Sequence, residues 1–299
     1  VIGPIQTAYV WTNRPIWPQG LERPAGSDPV PEYLDWNLWL GTAPERPFKR
    51  DWPDGKPPGI GGPEVYQPFN WRGWQDFGTG ALGDMACHTV NWPFRSLKLG
   101  YPTEIEATSS GMNTEMYPTT SRIRFEFPAR EGMPAVTLHW SDGGNKPPTE
   151  VTAGAEALMS KVSNSGCLMV GEKGVIFSPD DGDQNLRTFI QMKGDAEMTG
   201  TQKSDACKAI PETIVRNAFQ GAPDQRQHLE WIQACKDGKH DVAYSNFDIA
   251  AYLTEIILLG CVALRVGKKL EWDGPGMQAK NAPEAARFVK REYRKGWEI

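Results

Sequence analysis

The chain has 299 residues, 32 basic against 37 acidic side chains and a formal net charge of −5, with 39% hydrophobic and 10% aromatic content. That length can bury a sizeable core, and the mixed charges form no basic stripe of the kind that meets nucleic acid or an anionic membrane. The 31 Gly and 25 Pro argue against a helical bundle and for many turns and long ordered loops.

Val1 leads directly into strand-like sequence with no signal-peptide pattern, so the chain reads as the interior of a longer product, and cytoplasmic and exported locations both stay open. Residues 5–12 (IQTAYVWT) read as a strand. Residues 13–75 follow as a long loop region rich in Pro, Trp and Gly; eight of the twelve Trp fall within the first 92 residues. A stretch of that length without periodicity tends to be functional.

The turn DFGTG (76–80) then opens a helix near Thr79. Leu82, Met85, Ala86, Thr89 and Val90 follow the spacing of a buried face, and Asp84, His88 and Asn91 form a separate polar stripe. Residues four apart stack on a helix, so the Asp84 carboxylate can reach the His88 ring. Such a carboxylate fixes the imidazole tautomer and raises its basicity, as a general base acting on an alcohol requires. The pair could equally be a solvated or structural one. Gly78, Gly80 and Gly83 would admit a close ligand or another backbone.

Period-two alternation marks strands around 103–109, 121–127 and 135–141, each with one buried and one wetter face. Cys167–Phe177 reads as a hairpin turning at 171–174, and 179–223 as a second polar loop region. Helices are expected over 224–236 and 246–266. The apolar run from Ile249 to Val266 is interrupted by Glu255 and closed by Arg265, with Ser245 and Asn246 as capping candidates. It therefore reads as a buried helix and not a membrane span. Strands in the middle with helices at both ends predict an α+β fold, a mostly antiparallel open sheet flanked by helices, with the Asp84–His88 helix at one edge.

The five cysteines have no paired spacing, so they read as buried small hydrophobes, with neither a disulfide framework nor a zinc site. Two ligands on one helix are too few for a metal. His139 is placed on the open face of a strand, and His228 and His240 read as solvated. Around the helix, Trp71, Trp74, Phe69 and Phe77 surround Arg72 and Asp76. Indole faces suit the C–H faces of a sugar or cyclitol ring, while Arg and Asp suit its hydroxyls. The same Trp could simply anchor the loop. Trp11, Asn13, Arg14 and Trp17 are weaker pocket candidates.

The D-x-x-x-H helix after a Gly-rich turn resembles the C-terminal domain of the glucose-fructose oxidoreductase / inositol dehydrogenase / rhizopine catabolism (Gfo/Idh/MocA) family, and more closely a bacterial branch of it. The resemblance runs through VWTNRPIWPQG (10–20), LDWNLWLGTAPERP (34–47), FNWRGWQDFGTGALGDMACH (69–88), LKLGYPT (97–103), SNFDIAAYLTEIILLGCVALRVGKKLEWD (245–273) and REYRKGW (291–297). It implies one substrate and oligomerisation domain over 1–299, acting with NAD or NADP on a sugar, polyol or cyclitol. It places His88 as the proton-transfer residue with Asp84 beside it, and Trp71, Arg72, Trp74, Asp76 and Asn91 at the substrate. Asn91 stands where relatives often carry Asp, and Ala86 where close relatives often have Gly. The resemblance also implies a homo-oligomer formed through the sheet.

The family's Rossmann domain, with its Gly-rich nucleotide turn and its Glu-Lys-Pro motif, has no counterpart here. Gly59–Gly62 has no strand before it and no helix after it, so the cofactor site is expected outside this chain. Two rival readings are a non-catalytic carbohydrate-binding or assembly module, and a lyase or hydrolase of oxidised sugars.

Overall fold

The computed structural model describes residues 1–55, 59–66, 69–180, 187–211 and 223–298. Its elements in chain order begin with β1 (Ile5–Trp11), α1 (Trp36–Leu40), α2 (Gly80–Thr89) and α3 (Asn91–Ser96). The central part comprises β2 (Glu104–Ser109), β3 (Ser121–Phe127), β4 (Val136–Ser141), α4 (Thr149–Met159), β5 (Gly166–Gly171) and β6 (Gly174–Pro179). Then come β7 (Phe189–Met192), β8 (Thr199–Gly200), α5 (Asp205–Lys208), α6 (Pro223–Asp237), α7 (Phe247–Val266), β9 (Leu270–Asp273), β10 (Gln278–Ala279) and α8 (Ala286–Val289).

The strands form one open sheet in the order β10-β9-β2-β3-β4-β1-β5-β6-β7-β8. Among the described residues only β1 and β4 pair in parallel, with Tyr9 opposite His139; every other pairing of these strands is antiparallel. The fold is α+β, as the alternation predicts. On one face Ile123, Phe125, Leu138, Trp140, Val10 and Met169 pack under α2 and α7 in the main core. On the other face α4 covers Trp11, Leu168 and Phe177. The rest of that face stays polar: Arg124 bonds Glu106 and Glu126, and Thr137 donates to Glu126 (2.8 Å).

α7 is long and apolar enough to cross a membrane by length and composition, but half of its most apolar window is buried inside the protein. Asn246 caps it by accepting from the Asp248 amide, and Gly267 ends it in the left-handed region (φ 74°). Gly260 is the point of closest packing. A Cβ there would lie 2.6 Å from the Leu82 side chain, with Ile123 and Phe125 next. α2 therefore lies on the sheet face, between α7 and β1, and not at the sheet edge as its position in the chain suggests.

The 13–75 region, of which 56–58 and 67–68 lie outside the described residues, has a small core of its own. Trp52, Val65, Tyr66, Trp74 and Met116 are buried together, with Trp36, Trp39 and Phe77 against them. Within 179–223, the described residues supply β7, β8 and α5; 181–186 and 212–222 lie outside the description. All five cysteines are free, but only Cys167 and Cys261 are buried, so the uniform buried reading holds for those two alone.

Candidate functional site

The glycines of the 76–83 segment serve close protein packing. A Cβ on Gly78 would fall 2.5 Å from the Arg72 carbonyl oxygen, and one on Gly80 (φ +64°) 2.8 Å from Tyr117. A Cβ on Gly83 would fall 2.0 Å from the Thr79 hydroxyl. The small residues thus let the 69–77 loop close directly on the start of α2.

That closure brings Arg72, in a short 3-10 turn (Asn70–Gly73), onto α2. Its Nε donates to Asp84 Oδ1 at 3.1 Å and its Nη1 donates to the Phe69 carbonyl at 3.3 Å. The guanidinium lies 4.9 Å from the Phe69 ring centre, 5.1 Å from Trp71 and 5.9 Å from Trp17. Arg72 and Asp84 line a cleft of about 390 Å³, together with Arg14, Trp17, Phe69 and Met85. His88 stands in the same cleft and is exposed.

The helix therefore does bring Asp84 and His88 to one cleft, but no hydrogen bond joins them among the described residues. The carboxylate is taken by Arg72, whose planar fork satisfies Asp84 and the backbone at once. Beside them, Cys87 lies at the helix surface, yet desolvation of its sulfur, with the Asp84 charge second, raises its thiol above the ordinary value and keeps it protonated.

The other sequence candidates divide. Trp71 is half-buried beneath the Arg72 guanidinium and does not line the cleft. Trp74 is fully buried, and its indole N–H donates to the Val65 carbonyl (3.1 Å), so it anchors the loop. Asp76 turns away to an ion pair with Arg46, which also binds Glu115 (3.0 Å). Asn91 belongs to α3 and lies outside the cleft lining, because the chain turns at Val90 and Pro93 offers no N–H to continue α2.

Of the weaker candidates, Arg14 and Trp17 line the cleft, and Asn13 accepts from Arg14 (2.5 Å). Trp11 is buried against Phe177. His139 stacks on Tyr9 at 4.8 Å on the open sheet face, where desolvation holds its ring below the ordinary value. His240 pairs with Asp248 at the surface (3.0 Å). Ile16 and Met85 are cleft walls that sequence reasoning misses; the helical spacing puts Met85 on the buried face, and at 6% exposure it serves both. Among the described residues, no three His, Cys, Asp or Glu side chains converge as a metal site would require.

No protein-family model and no curated protein matches the chain. Its backbone is similar to those of several solved structures. One is an NAD-binding oxidoreductase from Klebsiella pneumoniae (14% identity, TM-score 0.43, 90% of this chain and 59% of that one). Another is levoglucosan dehydrogenase in complex with NADH and levoglucosan (11%, 0.44, 90% and 59%). A third is a super-repressor mutant of Gal80p from Saccharomyces cerevisiae (14%, 0.42, 90% and 58%). The chain spans about three-fifths of the length of each.

Proposed function

We propose that this chain is the substrate-binding and proton-transferring part of a Gfo/Idh/MocA-type oxidoreductase acting on a sugar, polyol or cyclitol. The observation that carries the reading is the exposed His88 imidazole in a cleft shared with the Arg72–Asp84 pair. The motif resemblance supplies the reaction class. In this reading Trp17 and Phe69 offer ring faces to the substrate's C–H side, Arg14 and Arg72 donate to its oxygens, and Asp84 accepts from a hydroxyl. His88 takes the proton from the hydroxyl that becomes a carbonyl, or returns it in the reverse direction.

The resemblance implies NAD or NADP, and the described residues do not fit a pyrophosphate cradle. A Cβ on Gly59 would lie 2.4 Å from the Ile16 carbonyl oxygen, and one on Gly61 would lie 2.4 Å from Asn70 Oδ1. These glycines are spent on loop packing, and no helix N-terminus follows them. We place the nucleotide on a separate domain and derive no step through it. The open polar face of β2, β3 and β4 is the surface we assign to a homo-oligomer contact.

Ligand-observed NMR of the chain against monosaccharides, alditols and inositols tests the substrate assignment. Saturable binding to at least one class, weakened about tenfold by Arg72→Met, is expected. Failure of every class to bind would count against it.

A further inference from the structure

The cross-strand register lays out the open sheet face in rows, because residues directly opposite one another on paired strands point to the same side. The middle row is Glu106 on β2, Arg124 on β3, His139 on β4 and Tyr9 on β1. The row at one end is Glu271 on β9, then Glu104, Glu126, Thr137 and Thr7. The row at the other end is Thr108, Arg122, Ser141 and Trp11.

The face is therefore polarised along its strands. Glu271, Glu104 and Glu126 stand side by side at one end, offset only by Lys269 on Glu104 (3.2 Å) and by Arg124 on Glu126. At the other end Arg122 is exposed, and among the described residues it donates to neutral groups: the Ser141 hydroxyl (3.4 Å), the Asn145 side-chain oxygen (3.4 Å) and the Lys146 carbonyl (3.2 Å). A two-fold axis perpendicular to the sheet reverses the strands and lays the basic end of one copy over the acidic end of the other. The pattern is self-complementary, as an isologous contact requires, so the occupant it fits is a second copy of this chain.

An axis through the middle row makes both ends meet and puts His139 at the centre of the contact. The ring is already half-buried in the single chain and stacks on Tyr9 (4.8 Å, 12° between planes). The charged and titratable groups around it are Arg124 directly opposite and Glu126 on β3, Tyr9 on β1, and Glu150 of α4, whose charge reaches Tyr9. Desolvation holds the ring below its ordinary value, opposed by Glu126 and helped by Arg124. A second copy over the face removes the remaining water and disfavours imidazolium further. Association and the neutral ring then favour each other, and a proton on His139 opposes association.

We propose that the contact between copies on this face is proton-sensitive: the two faces close while His139 is neutral, and its protonation beside Arg124 opens them. The inference rests on the assignment of this face to a homo-oligomer contact and is independent of the reaction at His88.

Sedimentation velocity of the chain over a concentration series at pH 7.5 and pH 5.5 tests it. The dimer dissociation constant should rise about tenfold or more on acidification, since two copies of His139 titrate per dimer. His139→Gln, neutral throughout, should hold one constant at both pH values, and weakening that persists in this variant would overturn the proposal. Arg122→Glu should weaken the dimer about tenfold at pH 7.5, which checks that the dimer uses this face. A dimer equally tight at both pH values, yet weakened by Arg122→Glu, would overturn the proton switch and leave the face assignment standing. No dimer at any concentration, or one indifferent to Arg122→Glu, would overturn both. If His139→Gln loses its native circular dichroism, the NMR titration of the His139 ring protons decides. Its midpoint should fall as the chain is concentrated, and a midpoint that stays put would overturn the switch.

Discussion

Arg72 and Asp84 are joined through Nε and Oδ1 at 3.1 Å, and the pair forms one side of the cleft in which His88 stands. Both side chains are more than a quarter exposed, so the ion pair contributes on the order of 1 kcal/mol or less to stability. Its consequence is orientation: Arg72 fixes the carboxylate while aromatic rings fix Arg72.

Arg72→Met should therefore leave the melting temperature nearly unchanged and lower kcat/KM for the sugar or polyol about tenfold or more. Arg72→Lys should not restore activity, because an ammonium cannot bond Asp84 and the Phe69 carbonyl with one planar group. Steady-state kinetics on this chain joined to the nucleotide-binding domain proposed above would check both.

Trp74 should behave in the opposite way. It is fully buried among Trp52, Tyr66 and Met116, and its N–H is used by Val65. Trp74→Ala should cost about 3–5 kcal/mol of stability, seen as a lower denaturant midpoint. Trp74→Phe should cost less and leave KM unchanged, since the ring does not line the His88 cleft.

The buried carboxylate of Asp142 gives a pH signature. It accepts from the Ser121 amide and hydroxyl and from Trp140 Nε1, yet desolvation dominates and pushes it from 3.8 to about 6. A carboxylic acid with a raised folded-state value favours folding in its protonated form. Its contribution is complete below pH 4 and lost as pH rises toward 6, a change on the order of 3 kcal/mol. Asp142→Asn should remove that slope. Urea unfolding of both proteins between pH 4 and pH 7 should show the variant gaining on the parent as pH rises.

Much of the sheet is readable because β3 and β4 alternate strictly, Ile123-Phe125-Phe127 and Val136-Leu138-Trp140 facing the core. The short strands β9 (LEWD) and β10 (QA) escape such reading, because four and two residues hold too little of a period. Helix α4 escapes as well: TEVTAGAEALM buries only Thr152 and Ala155, so it shows no strong apolar stripe. At the site, the helical period correctly places Asp84 and His88 on one exposed stripe. It cannot show that Arg72, twelve residues earlier, takes the carboxylate, because that depends on loop closure at Gly78. Nor could composition separate Trp17, which lines the cleft, from Trp74, which anchors the loop. Both are aromatic residues in Gly- and Pro-rich sequence, and only the tertiary packing differs.

The most direct test of the account is His88→Ala, assayed for nicotinamide-dependent oxidation of the substrate and for thermal stability in the same preparation. Because His88 is exposed to the cleft and holds no other described residue by a hydrogen bond, turnover should fall about 100-fold or more while the melting temperature stays within a degree or two of the parent. A lowered melting temperature with turnover preserved would make His88 a structural residue and contradict the assignment.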